Sequence, residues 1–382
     1  MKKIISTFLL LFLLLFFSTK GIVISSNAKS IIDNNVHSNA KAMVVLETTN
    51  NTILYSKNEN AKLPMASTTK IVTALTVLEN CDDLNKIITI PKKATLVEGS
   101  SIYLREGEEL TIEQLLYGLM LQSGNDAALA LALEVGKDSI ECFSEKMNEV
   151  ATKCGADSSN FITPHGLDHK DHYTTASDLA KITSYALKNP MFKRIVSSKI
   201  FKIEKTETCN ARTLINKNKL LNSLEGCIGV KTGYTSKAGR CLVSACERDN
   251  MQVVCVVLNC GPMFEESAEF INKAFKEYKY YKILSPYKFV TDVAVEEGET
   301  STLRIYNKKG FEIVCKEEDV DRYSIIYNYD KIVKAPIEKN KVLGKVEIYF
   351  DKTLIFSEDL CSIENVKGIS TDDKIKNILD KW

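Results

Sequence analysis

Pro64-Met65-Ala66-Ser67-Thr68-Thr69-Lys70-Ile71-Val72-Thr73-Ala74 is the stretch from which the rest of the chain can be read. Apolar residues recur at helical spacing through Ile71, Ala74, Leu75 and Leu78, so a helix starts here with Ser67 in its first turn. Residues three apart on a helix share a face, which stands Lys70 over Ser67. A serine hydroxyl is a weak nucleophile until a neighbouring base takes its proton. Lysine can be that base only when burial or a nearby positive charge lowers its pKa. The tetrapeptide alone is weak evidence, because serine is equally favoured as a plain helix cap.

Two further motifs follow in order. Ser123-Gly124-Asn125 lies between a helical stretch after Thr111 (Ile112, Leu115, Leu116, Leu119) and another after Asn125 (Ala127, Ala128, Leu131, Ala132). Lys231-Thr232-Gly233 precedes two apolar strands, Cys241–Cys246 and Val253–Leu258, joined by a polar turn from Glu247 to Asn250. A long helix from Phe264 to about Tyr280 comes next. At the other end, a strand from Ala42 to Glu47 turns at Thr49-Asn50-Asn51 into a second strand through Ile53 and Tyr55. Strands at both ends with helices between predict an α+β domain over residues 36–284, an antiparallel sheet flanked by helices.

After Pro286 the texture changes to short alternating segments: Val290 to Val295, Leu303 to Tyr306, Phe311 to Val314, Ile325 to Tyr329 and Val346 to Phe350. They predict a small all-β domain over residues 286–366 with no cluster of nucleophile, base or metal ligands. From Ser370 to Trp382, Ile375, Ile378, Leu379 and Trp382 form one helical stripe behind a capping-box-like Ser370 and Asp373.

The chain is 382 residues long with a formal charge of +1, which fits two domains and argues against a nucleic-acid partner. Lys2 and Lys3 precede an apolar run from Ile4 to Phe17, and Ser26-Asn27-Ala28 offers a small-x-small cleavage pattern. Residues 1–28 therefore read as a secretory signal, the run being short of the roughly 20 residues of a spanning helix. An uncleaved anchor is the alternative. The eleven cysteines are odd in number and show no CxxC pair, so they predict neither a disulfide framework nor a zinc site. Cys241, Cys246, Cys255 and Cys260 sit in apolar strands as small hydrophobes.

S-x-x-K, S-x-N and K-T-G in this order mark serine enzymes that bind penicillin and class A β-lactamases. The flanks sharpen the likeness. Pro64 to Ala74, Leu121-Gln122-Ser123-Gly124-Asn125-Asp126-Ala127-Ala128 and Lys231-Thr232-Gly233-Tyr234-Thr235 resemble the low-molecular-mass penicillin-binding proteins with D-alanyl-D-alanine carboxypeptidase activity. Pro164-His165-Gly166-Leu167 and Gly99-Ser100-Ser101 fit that family's connecting loops. The resemblance covers roughly residues 38–284 and extends more weakly into the β-domain.

It implies that Ser67 is the acyl-enzyme nucleophile, Lys70 its general base and Ser123 a proton relay to the leaving D-alanine. Asn125 would hold the substrate backbone, Lys231 and Thr232 its terminal carboxylate, and the N–H groups of Ser67 and Tyr234 beside Gly233 the oxyanion. The implied substrate is a peptidoglycan stem ending in D-Ala-D-Ala, with β-lactams as covalent inhibitors and neither metal nor organic cofactor. Members of the family end in an amphipathic anchor, so weak attachment to the outer face of the cytoplasmic membrane is expected of residues 370–382.

His165, His169 and His172 are weighed separately. Pro164 and Gly166 break helical context and no HExxH glutamate is present, which favours a structural loop over a metal site. The class A β-lactamase reading requires a deacylating glutamate, and the stretch Ser158 to Thr175 has none. An endopeptidase on wall crosslinks and a non-catalytic penicillin-sensing module remain as alternatives.

Overall fold

A computed structural model describes residues 36–370. The expected signal and the C-terminal stripe after Ser370 lie outside the described residues. The main sheet is built from β1 (Ala42–Glu47), β2 (Thr52–Lys57), β3 (Cys227–Thr235), β4 (Gly239–Arg248) and β5 (Met251–Leu258), in the order β2-β1-β5-β4-β3. Every neighbouring pair is antiparallel, and β1 lies beside β5 from Ala42 opposite Leu258 to Glu47 opposite Val253. The two ends of the domain thus share one sheet, as its strand–helix–strand pattern requires. The β4–β5 hairpin closes on Asp249-Asn250, both left-handed with φ of 47° and 64°, a conformation that Asp and Asn tolerate. The turn is therefore tighter than the four polar residues suggested.

Alternation along the strands sends successive side chains to opposite faces. Val44, Leu46, Val243, Ala245, Val254 and Val256 pack against α1 (Lys70–Asn80), α2 (Ile112–Leu121), α3 (Asn125–Val135) and α4 (Ala176–Ala186). Met43, Val45, Leu242, Val253, Cys255 and Val257 pack on the other side against Phe270, Ile271 and Ala274 of α5 (Met263–Glu277). With both faces covered, β1 is buried throughout, which is why it reads as an unbroken apolar run.

α5 stops at Glu277, short of the Tyr280 that its amphipathic pattern allowed. Tyr278 to Tyr280 instead begin β6 (Tyr278–Leu284), which pairs with β9 (Phe311–Lys316) of the second domain. That long-range pairing overrides a local pattern compatible with either structure. The other strands of the second domain are β7 (Phe289–Glu296), β8 (Thr302–Asn307), β10 (Tyr323–Tyr329), β11 (Ile332–Lys334), β12 (Val342–Phe350) and β13 (Thr353–Ser362). They form a six-stranded sheet in the order β10-β12-β13-β8-β7-β11 around Val293, Leu303, Ile305, Val346, Ile348 and Leu360. All eleven cysteines are free thiols. Burial raises the thiol pKa of Cys241 to about 11 and of Cys255 and Cys260 to about 12, which keeps them protonated.

Candidate active site

The three motifs meet where the helical lobe abuts the edge strand β3. Ser67 sits in a 3-10 turn, Ala66–Thr69, that runs straight into α1. Thr68 and Thr69 return their hydroxyls to the carbonyls of Met65 and Ala66, and Ala66 is left-handed at φ 50°. A non-glycine residue there stores strain that the surroundings must hold in place. The loop Pro164 to Asp168 supplies much of that hold. A Cβ on Gly166 (φ 86°) would lie 2.0 Å from the Ala66 carbonyl oxygen, so only glycine lets the loop pack this closely. His172 locks the same corner. Its Nδ1 accepts from the N–H groups of Ile162 and Thr163, which leaves Nε2–H to donate to Thr69 Oγ1 at 2.9 Å. Burial drives its pKa down to about 4, so the ring is neutral and structural.

Lys70 is fully buried and has three partners: Ser67 Oγ at 3.0 Å, Asn125 Oδ1 at 2.7 Å and the His165 carbonyl at 2.7 Å. Its pKa is lowered well below the usual lysine value, first by burial and then by repulsion from Lys231 and Lys217. The second motif arrives from the gap between α2 and α3. Ser123 is buried and left-handed at φ 63°, and Asn125 opens α3. Asn125 is engaged at both ends of its amide, since Nδ2 donates to the Glu98 carbonyl at 2.6 Å. Asp126, the next residue, accepts from Ser101 Oγ and from the N–H groups of Ile102 and Leu104. Asp126 thereby ties the loop after Gly99 to the start of α3.

β3 closes the third side. Lys231 is 1 % exposed, donates to the Thr232 carbonyl, and has its pKa lowered to about 7 by burial and by Lys217. Gly233 is the point of closest approach. A Cβ there would stand 2.9 Å from Ser67 N, 3.0 Å from Thr68 N and 3.1 Å from the Met65 carbonyl oxygen. Tyr234 is exposed, and Thr235 bonds Asp168 of the loop that also feeds Lys70. No group of three or more His, Cys, Asp or Glu suited to a metal occurs among the described residues.

Of the residues singled out from the sequence, Lys70 bonds Ser67 and Asn125 directly, Lys231 lies close enough to Lys70 to repel it, and Gly233 lies against the Ser67 turn. Sequence reasoning missed Lys217, Asp126 and the His165 carbonyl. Lys217 sits in a polar Asn216-Lys217-Asn218 stretch that carries no motif. A carbonyl leaves no side-chain signature at all. Asp126 was readable in principle, as an acid in the first turn of a helix directly after the asparagine of the second motif.

A family model described as D-alanyl-D-alanine carboxypeptidase matches residues 28–261, and one described as penicillin-binding protein 5, C-terminal domain, matches residues 278–368. The chain belongs to the D-alanyl-D-alanine carboxypeptidase family. It is 28% identical to D-alanyl-D-alanine carboxypeptidase DacF of Bacillus subtilis over 391 residues, covering 100% of this chain and 99% of that one. With D-alanyl-D-alanine carboxypeptidase of Streptomyces sp. strain K15 it shares 38% identity over 221 residues, 54% of this chain and 76% of the other. Among solved structures, penicillin-binding protein 5 from Haemophilus influenzae superposes with a TM-score of 0.71 at 26% identity, covering 87% of this chain and 98% of that one. As a member of this family the chain is a serine D-alanyl-D-alanine carboxypeptidase, a penicillin-binding hydrolase of the cell wall.

Proposed function

We propose that Ser67 attacks the carbonyl of the penultimate D-alanine in a peptidoglycan stem and releases the terminal D-alanine. Lys70 takes the Ser67 proton as Oγ attacks, which the 3.0 Å contact and the lowered lysine pKa support. The oxyanion that forms lies between the N–H groups of Ser67 and Tyr234, and the close approach at Gly233 supports that placement. As the carbon–nitrogen bond breaks, the proton on Lys70 passes through the Ser123 hydroxyl to the leaving amine. Water then attacks the acyl-enzyme, with Lys70 again accepting the proton, and frees Ser67. Lys231 and Thr232 hold the terminal carboxylate, and Asn125 positions Lys70 while facing the substrate backbone. β-Lactams enter the same sequence and stall at the acyl-enzyme.

The observation that carries this reading is the buried Lys70 bridging Ser67, Asn125 and the His165 carbonyl. Its test is Ser67→Ala, which abolishes D-alanine release from a pentapeptide stem and labelling by a fluorescent penicillin while the fold survives. Labelling that persists at another residue overturns the assignment.

The same reading places the enzyme outside the cytoplasmic membrane. Among the described residues no helix is long and apolar enough to cross a membrane. Attachment falls to the stripe Ile375, Ile378, Leu379 and Trp382, whose neighbouring lysines and aspartates balance, so binding is weak and reversible. Vesicle co-sedimentation with and without residues 370–382 tests it, and equal partitioning of the two forms refutes it.

A further inference from the structure

The β-domain carries a recess that the carboxypeptidase chemistry does not use. Tyr287, Phe289, Arg304, Tyr306, Lys339 and Ile363 line a cavity of about 310 Å³ where β7 and β8 begin and end. Its aromatic rings are displayed to solvent. Tyr287 is 73 % exposed and lies 6.2 Å from Tyr306 with the rings 22° apart. Phe289 is 51 % exposed, with the Arg304 guanidinium 5.5 Å from its ring centre. Ile363 adds a third exposed apolar group. A cluster of large exposed side chains around a recess, on a domain with its own filled core, marks an interaction site more than an unfinished core.

Three hydrogen bonds brace the recess. Tyr306 Oη donates to Asn340 Oδ1 at 2.7 Å, and the backbone N–H of Lys339 donates to Asn365 Oδ1 at 2.7 Å. Tyr287 N–H bonds the Asn307 carbonyl, which fixes the backbone that carries the first ring. The aromatic faces are therefore pre-set, and ordering them costs little on binding.

The charge selects the ligand. Arg304 and Lys339 are exposed cations on the rim. Among the described residues the acid paired with Arg304, Asp292, is 3.7 Å away, too far for a hydrogen bond, so the guanidinium keeps donors for an anion. Flat apolar faces beside carboxylate-seeking donors suit a ligand with pyranose-like C–H faces and carboxylates. A concave recess suits a discrete polymer segment better than a flat lipid surface.

We propose that this recess binds a glycan segment bearing carboxylated peptide stems, the polymer whose stem ends reach Ser67. The proposal rests on the carboxypeptidase reading for the identity of that polymer. Two weak contacts on one chain act together, because the first raises the local concentration for the second. The recess then holds the enzyme on its polymeric substrate while single stems enter and leave the Ser67 cleft.

The test is co-sedimentation of the full chain with purified insoluble peptidoglycan, in the presence of saturating benzylpenicillin so that the Ser67 cleft is filled. The double variant Tyr287→Ala/Arg304→Gln is expected to bind the polymer about tenfold more weakly, as loss of one aromatic and one ionic contact implies. Its release of D-alanine from a free soluble pentapeptide stays at the unsubstituted level, which also shows that the variant is folded. Equal sedimentation of the two proteins overturns the proposal. So does unchanged polymer binding accompanied by a loss on vesicles of anionic phospholipid, which would make the recess a membrane contact. Polymer binding that depends on Tyr287 and Arg304 in a protein with no pentapeptide turnover supports the recess and overturns the catalytic reading instead.

Discussion

Gly233→Ala tests the geometry of the site more sharply than removal of any catalytic atom. The added methyl carbon would sit 2.9 Å from Ser67 N and 3.0 Å from Thr68 N, both backbone atoms of the strained turn. An ordinary contact begins at 3.4 Å, so β3 and the turn must separate by about half an ångström. Overpacking of this kind costs roughly 1–3 kcal/mol, which the domain survives. Catalysis suffers more, because the separation widens the gap between the Ser67 and Tyr234 N–H groups. A misplacement of about 1 Å can cost about a hundredfold, so half of it predicts roughly a tenfold slower acylation. The assay is the second-order rate of acylation by benzylpenicillin, read with the melting temperature. Gly261→Ala is the control, since no atom lies within 4 Å of a Cβ built there. If Gly233→Ala acylates at the unsubstituted rate, the close approach does not define the oxyanion site.

Lys217→Gln removes a cation that lowers the pKa of both Lys70 and Lys231. On the proposed mechanism acylation needs Lys70 neutral and Lys231 charged, so its rate should rise as Lys70 deprotonates and fall as Lys231 does. Both pKa values climb back toward the ordinary lysine value, and the whole pH–acylation profile moves to higher pH. A profile that stays in place refutes the electrostatic role of Lys217. Arg212→Leu strips the bidentate partner from Glu108, whose side chain is 1 % exposed, and frees the carbonyls of Ile102 and Tyr103 that Arg212 also holds. Leaving one member of a buried pair alone costs roughly 3–5 kcal/mol, seen as a large drop in melting temperature. Adding Glu108→Leu should recover much of it, and failure to do so refutes the ion-pair account.

The central strands β1, β4 and β5 were legible because they read as apolar runs buried on both faces, whereas the edge strand β3, with its polar Lys231-Thr232, reads as a motif and not as a strand. The motifs were legible because their chemistry lies in side chains at short, fixed spacing. What the sequence hid falls into two physical kinds. β6 and the end of α5 depend on pairing with β9, 27 to 38 residues away in sequence, and local pattern cannot choose between helix and strand there. Long-range backbone contacts are the other kind. The His165 carbonyl, the Glu98 carbonyl and the fit of Gly166 over Ala66 arise from loops brought together by the fold. β13 escaped for a related reason, since its Ser357, Glu358 and Asp359 blur the alternation that pairing with β12 restores.

Proton counting at Lys70 explains why the site needs those loops. A neutral amine has two N–H donors and one lone pair, whereas an ammonium has three donors and none. Two of the three partners, Asn125 Oδ1 and the His165 carbonyl, can only accept. They consume both N–H groups of the neutral amine and leave its lone pair for the third partner, Ser67 Oγ, whose own O–H can donate. The arrangement thus aims the basic electron pair at the one proton that must move. Burial and the repulsion of Lys231 and Lys217 then favour the neutral form in which that aim exists. Lys231 donates to the Thr232 carbonyl and has its pKa lowered to about 7, so on the proposed mechanism a substrate carboxylate beside it favours its charged form. On the proposed mechanism two lysines of opposite task therefore share one buried corner, Lys70 held toward the neutral form by burial and neighbouring positive charge and Lys231 toward the charged form by the substrate carboxylate.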